Sequence, residues 1–183
     1  MKKIVVSVLG YDRPGIIAAV SKILSDHRCN IEDVSQTILQ TEFVGVFIAS
    51  KPDDVADDQL LAGLKESLEP MGLFVLVKPM TQTSEWIPPE SEPFIITTMG
   101  PDRLGLVAGI TEVMARFHIN ISNLKAIFRG TDNPTHNFMI YEVDIPLTAD
   151  QKAFRAALHE RAKELGLDIT LQHRDIFETI HRV

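Results

Sequence analysis

Cysteine is nearly absent from this chain, which carries only Cys29 among its 183 residues. A disulfide framework or a zinc site built from cysteines is therefore excluded within the chain, as is a copper-carrying CxxC site. The six histidines do not replace them, because His159, His173 and His181 are separated by fourteen and eight residues. We therefore expect no metal site and no cofactor.

Positive charge is also scarce. The chain has 18 basic and 25 acidic residues, a net charge of −7, and both halves carry an acidic excess. Nucleic acids and anionic membranes are bound through clustered Lys and Arg, so we expect neither as a direct partner. No apolar run reaches the length of roughly 20 residues that a membrane span needs. The N-terminal apolar run is broken at Gly10, Tyr11 and Asp12, unlike a signal peptide, which predicts a cytoplasmic protein.

The sequence contains an internal repeat. Residues 7–35 align with residues 97–125 at a constant offset of 90, and seven of the 29 pairs are identical. The identical pairs are Gly10/Gly100, Asp12/Asp102, Arg13/Arg103, Gly15/Gly105, Ala18/Ala108, Asn30/Asn120 and Ile31/Ile121. A repeat of this length indicates a duplicated domain rather than a solenoid unit.

The segment between the copies is typical of a linker, because residues 81–93 hold three prolines and few apolar side chains. We predict a first domain at 1–80, a linker at 81–92, and a second domain at 93–183 that ends in a short tail. Trp86, the one tryptophan, is expected to pack onto one of the two domains.

Each copy shows the same order of periodicities: strand, amphipathic helix, two strands, second helix, strand. The order βαββαβ, found twice, predicts an α+β fold of two ferredoxin-like domains with antiparallel sheets and helices on one face. The other face stays open. Its strands contain apolar residues, namely Val5, Phe47, Phe74, Ile95, Tyr141 and Ile169. We therefore expect that face to need a cover, and the chain to form a homodimer.

The motif Gly-x-Asp-Arg-x-Gly follows the first strand of each copy, and Asn-Ile follows fifteen residues after its second glycine. Glycines allow a sharp turn and a close approach to a ligand, and the start of a helix offers free N–H groups to a carboxylate. Asn30 and Asn120 can both donate and accept. Together these groups suit an α-amino acid. A purely structural role stays open, in which Asp12 and Asp102 cap the helices and the glycines serve only the turn.

The segments GYDRPGIIAAVSKILSDHRCNIEDVS and GPDRLGLVAGITEVMARFHINISNL resemble ACT domains, small regulatory modules that bind amino acids. The resemblance covers nearly the whole chain. In its two copies the chain is similar to tandem ACT proteins of the glycine cleavage repressor type, which have no catalytic domain. It implies ligands held between paired domains by the first loop and the start of the second strand. The residues implied are Gly10, Tyr11, Asp12, Arg13, Pro14, Gly15, Asn30 and Ile31, with Gly100, Pro101, Asp102, Arg103, Leu104, Gly105, Asn120 and Ile121.

The resemblance implies a non-catalytic regulatory protein that responds to a small amino acid, glycine or serine first, and controls transcription through contact with a regulator or enzyme. One alternative is a tandem ACT scaffold that binds its partner protein without a ligand. A more distant alternative is an acylphosphatase-like enzyme that uses Arg13 with Asn30, or Arg103 with Asn120. In that enzyme Asp12 or Asp102 would lie beside the phosphate and repel it.

Overall fold

The computed structural model describes residues 1–80, 87–128 and 137–181 of the chain. Residues 81–86 of the expected linker, including Trp86, lie outside the described residues, and so does the whole of the long turn expected at residues 130–136. The chain separates into two compact units, Met1–Glu85 and Trp86–Val183.

Residues 1–80 of the first unit form four strands, two α-helices and a short 3₁₀ turn. Their order is β1 (Lys2–Tyr11), α1 (Ile16–Asp26), β2 (Asn30–Leu39), β3 (Glu42–Lys51), α2 (Asp57–Leu68), the turn Glu69–Met71 and β4 (Leu73–Pro79). The sheet order is β2-β3-β1-β4 and every neighbouring pair is antiparallel.

The second unit repeats this plan. Its elements are β5 (Ser91–Gly100), α3 (Leu106–Arg116), β6 (Asn120–Phe128), β7 (Asn137–Pro146), α4 (Gln151–Glu164), β8 (Asp168–His173) and α5 (Arg174–His181). The sheet order β6-β7-β5-β8 matches that of the first unit. The predicted α+β class and the βαββαβ order in both copies are confirmed.

Alternation along the strands decides which side chains enter the core. Phe47 of β3 is in phase with Phe43 and Ala49, and all three are at most 2% exposed beneath the helices. Tyr141 of β7 is likewise fully buried. Our expectation that Phe47, Tyr141 and Ile169 belong to the open face was therefore wrong, because all three fall on the other phase of the alternation and contact the cores. Phe74 does lie exposed, at 75%.

The second helices of the two units, α2 and α4, start and end where the sequence predicts. Asp150 precedes α4, and its side chain accepts a hydrogen bond from the backbone N–H of Ala153 at 2.9 Å. Asp57 and Asp58 lie in the first turn of α2, where the helix dipole favours negative charge. Gly72 and Gly166 follow the helical segments in a left-handed conformation.

Two features differ from the sequence expectations. Strand β5 begins at Ser91, inside the expected linker, because Ser91 and Glu92 pair with Pro146 and Ile145 of β7. The expected C-terminal tail forms α5, which contacts β5 and β8. Within the described residues no helix combines the length and the apolar character that crossing a bilayer requires.

Candidate functional site

The first glycine of each motif fits a close contact between backbones. A Cβ added to Gly10 would lie 2.7 Å from the carbonyl oxygen of Gly72, and one added to Gly100 would lie 2.8 Å from that of Gly166. Only glycine lets the end of β1 or β5 pass the start of the last strand so closely. These two glycines therefore have a structural reason within the unit itself.

The second glycine of each motif has a different role. Gly15 and Gly105 precede α1 and α3 with φ of 99° and 84°, and a Cβ on either would meet nothing within 4 Å. Backbone conformation, not space, requires glycine here. No side chain caps α1 or α3, so the alternative in which Asp12 and Asp102 act as caps is wrong.

The start of each of these helices offers backbone donors. The first helical hydrogen bonds run from Ala19 to Gly15 and from Gly109 to Gly105. The N–H groups of the three residues before Ala19 and before Gly109 therefore have no acceptor within their own helix. Open space above the glycine and free donors behind it are what a carboxylate needs.

The two loops are held by different contacts. In the first unit the N–H of Asp12 donates to the carbonyl oxygen of Thr41 at 2.8 Å. In the second unit Nδ2 of Asn137 donates to Oδ1 of Asp102 at 3.3 Å. The guanidinium of Arg103 lies over Gly166, in the space that a Cβ there would occupy. Arg103 thus extends toward the C-terminal end of α4, where a cation is favoured.

The remaining loop residues are open to solvent. Asp12, Arg13 and Pro14 are exposed in the first unit, and Pro101, Asp102 and Arg103 are exposed in the second. The apolar side chains Tyr11 and Leu104 are 66% and 100% exposed. Exposed apolar side chains in both loops leave them free to contact a ligand or a partner.

The asparagines start the second strand of each unit. Asn30 and Asn120 are exposed, whereas the following Ile31 and Ile121 pack against the two cores. A bulge comes next in both copies, where the register shifts between Ile31 and Asp33 and between Ile121 and Asn123. The bulge bends the start of the strand, and it is present at equivalent positions in both copies, like the glycine loop.

Within one unit the loop and the asparagine lie at opposite ends of the sheet. Gly10 pairs with Phe43, whereas Asn30 pairs with Ser50, seven residues farther along β3. At the rise of a strand this separates them by about 23 Å. Gly100 and Asn120 are separated equally, because they pair with Asn137 and Asp144 of β7. No single amino acid can contact both groups in one unit.

A cavity of about 250 Å³ opens at the asparagine end of the second unit. Its lining consists of Pro88, Pro89, Ser91, His118, Asn120, Asp144 and Pro146. Nδ2 of Asn120 donates to Oδ2 of Asp144 at 3.5 Å, and Oγ of Ser91 donates to the carbonyl oxygen of Pro89 at 2.7 Å. His118 takes a left-handed φ of 57° after α3.

The matching corner of the first unit has different side chains. Arg28 takes the place of His118 with the same left-handed φ, and its guanidinium forms an ion pair with Asp54 at 2.6 Å. Lys3 contacts Glu32 at 2.7 Å, and its hydrogen bond holds the pKa of the Glu32 carboxyl below the usual value. The carboxylates Glu32 and Asp54 in this corner are thus already paired with cationic side chains of the protein.

Cys29 lies close to that corner and is buried. Burial raises the pKa of its thiol, an effect that the charges of Lys51 and Arg28 partly oppose. A thiol held in its protonated form is a poor nucleophile near neutral pH. The structure therefore supports packing as the role of Cys29.

Three polar residues near these sites were missed at the level of sequence: Asn137, Asp144 and His118. The sequence contains a signal for two of them, which appears when β7 is aligned with β3, its equivalent in the first copy, at an offset of 94. At that offset the polar Asn137 replaces the apolar Phe43, and the charged Asp144 replaces the neutral Ser50, between otherwise similar strands. Only the side-by-side comparison of the two copies would have singled them out.

Comparison with known proteins agrees with the duplicated fold. Residues 2–78 and 92–172 each match the family model of the ACT domain. A UPF0237 protein of Methanosarcina acetivorans is 36% identical over 101 residues, which cover 51% of this chain and 98% of that protein. A UPF0237 protein of Methanopyrus kandleri is 40% identical over 79 residues, covering 43% of this chain and 88% of that protein.

Two of the solved structures that are similar to this chain superpose on more than nine tenths of it with a TM-score above 0.6. An unknown protein from Galdieria sulphuraria superposes with a TM-score of 0.74 at 24% identity, covering 94% of this chain and 98% of that one. A candidate glycine cleavage system transcriptional repressor superposes with a TM-score of 0.67 at 19% identity, covering 93% and 96%. At these identities the likeness shows a shared fold. Together with the two family matches, it establishes that the chain belongs to the ACT domain family, with two copies of the domain in tandem.

Proposed function

We propose that this protein is a non-catalytic regulator that binds a small amino acid and passes the signal to a partner protein. The observation that carries the proposal is the duplicated loop. In both copies a left-handed glycine with open space above it precedes a helix whose first N–H groups lack helical acceptors. ACT domains generally bind amino acids and often form dimers, which supports the same reading.

A zwitterion matches the two kinds of group that each copy provides. The helix start at Gly15 or Gly105 favours the carboxylate, because N–H groups and the helix dipole both attract an anion. Asn30 or Asn120 can accept from the ammonium group through its amide oxygen. The best first candidates are glycine and serine, whose side chains are small.

The separation of about 23 Å between loop and asparagine leads us to propose that two copies of the chain complete each site. β2 is an edge strand, Asn30 begins it, and the Gly10 loop lies beside its end through Phe43 and Ile38. Two β2 strands paired antiparallel across a two-fold axis would place the start of each beside the end of the other. Each loop would then meet the asparagine of the partner copy.

In such a dimer the ligand acts by favouring one arrangement of the copies over another, which requires different affinities for the two arrangements. We propose that the output is transcriptional control through a bound regulator or enzyme. The excess of acidic residues argues for a protein partner rather than direct contact with DNA. A candidate glycine cleavage system repressor among the structural neighbours supports this choice of process.

The test is a melting and calorimetry screen of the full chain against the protein amino acids. We expect one or a few to raise the melting temperature, and Asn30→Ala or Asn120→Ala to reduce that rise while the unliganded melting temperature stays unchanged. Lys22→Ala, an exposed change on α1, is the matched control. A chain that melts identically with every amino acid overturns the ligand-responsive role and leaves the ligand-free scaffold.

The dimer is tested separately by sedimentation of the full chain. We expect Gln36→Pro in the middle of β2 to yield monomers and to abolish the amino-acid response, because proline removes a donor from the exposed edge. Gln36→Ala, which removes the same side chain but keeps the backbone N–H, serves as the control. If the Gln36→Pro variant is monomeric and still responds fully, each site is complete within one chain.

A further inference from the structure

The cavity of about 250 Å³ at the start of β6 distinguishes the second unit. We propose that this cavity binds the ammonium group of a small amine or amino acid, with Asp144 as its counter-ion. The inference deepens the proposed function and rests on it, since it assigns one half of the ligand to named residues. It adds Asp144, Ser91 and the prolines to a site for which the motif suggests only Asn120.

The polar groups of the cavity favour a cation. Asp144 contributes a carboxylate, Asn120 an amide oxygen, and Ser91 a hydroxyl oxygen whose hydrogen is already donated to Pro89. Pro88, Pro89 and Pro146 contribute ring carbons and have no N–H to compete with a ligand donor. The cavity therefore offers several acceptors around one negative charge.

The hydrogen bond that Asp144 makes in the cavity is weak. Nδ2 of Asn120 lies 3.5 Å from Oδ2 of Asp144, at the outer limit for an N–H···O bond. An ammonium group would approach to about 2.8 Å and form a charge-assisted bond of greater strength. Exchanging one donor for the other requires only a small movement of the exposed Asn120 side chain.

The size of the cavity limits the ligand. Sites for drug-sized molecules begin near 300 Å³, so a space of about 250 Å³ suits a small metabolite. His118 at the rim, an exposed residue, is placed to contact whatever extends from the amine. A zwitterion of the size of glycine or serine fits this description.

The first unit does not offer the same chemistry at the equivalent corner. Ser50 stands where Asp144 stands, and Arg28 stands where His118 stands, already paired with Asp54. Arg28 places a positive charge at this corner and Ser50 offers no carboxylate, so an ammonium group lacks the counter-ion that Asp144 provides in the second unit. The structure therefore assigns ammonium binding against a carboxylate at this position to the second unit, whereas the first unit would rely on the amide oxygen of Asn30.

Ethylammonium is the direct probe, because it carries the amine without a carboxylate. We expect it to shift the backbone amide resonances of Ser91, Asn120 and Asp144 in the full chain. Asp144→Asn keeps the shape and removes the charge, so it should weaken ethylammonium at least about tenfold. Asp54→Asn, the matched change in the first unit, should leave the response as in the wild type, and sodium acetate should cause no shift at these residues.

Two results overturn the inference: no shift of these resonances with ethylammonium, or equal affinity in Asp144→Asn and the wild type. Both variants are first compared with the wild type by circular dichroism, so that a folding defect is not taken for lost binding. Failure of the proposed function gives a different pattern, in which ethylammonium shifts Ser91, Asn120 and Asp144 but no amino acid changes the melting temperature.

Discussion

Asn137 donates a hydrogen bond from its Nδ2 to the carboxylate oxygen Oδ1 of Asp102, at 3.3 Å. The amide oxygen of Asn137 is buried and has no hydrogen-bond partner. Asn137 is only 2% exposed and lies where the first unit has Phe43. The neighbouring positions change together. Gly45 leaves room for the ring of Phe43, whereas Met139 fills that room beside Asn137. A buried polar group in this position weakens the core and fixes the loop.

We therefore expect Asn137→Leu, a change of nearly equal shape, to stabilise the second unit by about 1–2 kcal/mol, because it removes an unsatisfied buried acceptor. The amino-acid response should fall at the same time, since Asp102 loses its support. Thermal melting with and without the most active amino acid measures both effects. A lower melting temperature would show instead that the Asn137–Asp102 bond is a net stabilising contact.

Replacing the two glycines of the motif by alanine is expected to reduce the stability of the first unit by different amounts. Gly10→Ala places a Cβ 2.7 Å from the carbonyl oxygen of Gly72, so backbone must move and about 2–4 kcal/mol of stability should be lost. Gly15→Ala meets open space and should cost only the left-handed strain of about 1–2 kcal/mol. Hydrogen exchange of β1 and β3 amides in the full chain measures the difference. Equal losses would contradict the assigned roles.

A partly buried ion pair supports the loop before α2. Nζ of Lys51 donates to the carbonyl oxygen of Val55 at 2.5 Å and lies 2.9 Å from Oδ1 of Asp57. That second contact is a charge contact rather than an aligned hydrogen bond, because Oδ1 of Asp57 has no hydrogen-bond partner. The Lys51 side chain is 6% exposed and that of Asp57 is 38% exposed.

The second unit carries Ile145 and Gln151 at these two positions, which suggests a matched exchange. Lys51→Ile alone should cost about 2–3 kcal/mol, since it leaves the partly buried Asp57 charge uncompensated. Adding Asp57→Gln should restore most of that loss, and urea unfolding of the single and double variants gives the coupling. Additive losses would show that the two side chains act independently.

Tyr141 should make the second unit sensitive to alkali. Burial raises the pKa of Tyr141 to about 12, and its hydroxyl donates to Sδ of Met139 at 3.3 Å. Because the unfolded phenol ionises near pH 10, stability is complete below that pH and declines as the pH rises toward 12. Tyr141→Phe introduces the residue that the first unit has at this position, Phe47. Between neutral pH and pH 11 this variant should lose about 1 kcal/mol less unfolding free energy than the wild type. Identical melting profiles from pH 9 to pH 11.5 would contradict this.

Local sequence signals predicted most elements well. The alternation in β1 and β5, the helical spacing of α1 and α3, and the Asp150 cap each concern residues close in the chain, and the structure follows them. The same logic missed α5, and it placed Phe47 and Tyr141 on the open face. Which phase of an alternating strand faces the helices depends on the register with the neighbouring strand, and that register is not a local property.

The candidate site shows the same division. The motif indicated both loops, and the structure places Gly15 and Gly105 at helix starts with open space above them. It could not indicate that Asn30 lies far from Gly15, nor that Asp144 accompanies Asn120 in a cavity. Asn137, Asp144 and His118 are separated from the motif along the chain and reach it only through strand pairing and helix packing.

The sequence by itself determined the duplication, the order of strands and helices, and the glycines that each loop requires, because periodicity and backbone preference act between near neighbours. Tertiary structure decided the rest. A helix that runs back across the sheet carries the chain from the loop to the opposite end before Asn30 begins β2. Packing therefore converts a short separation in sequence into a long one in space, and brings Asp144, far along the chain, beside Asn120.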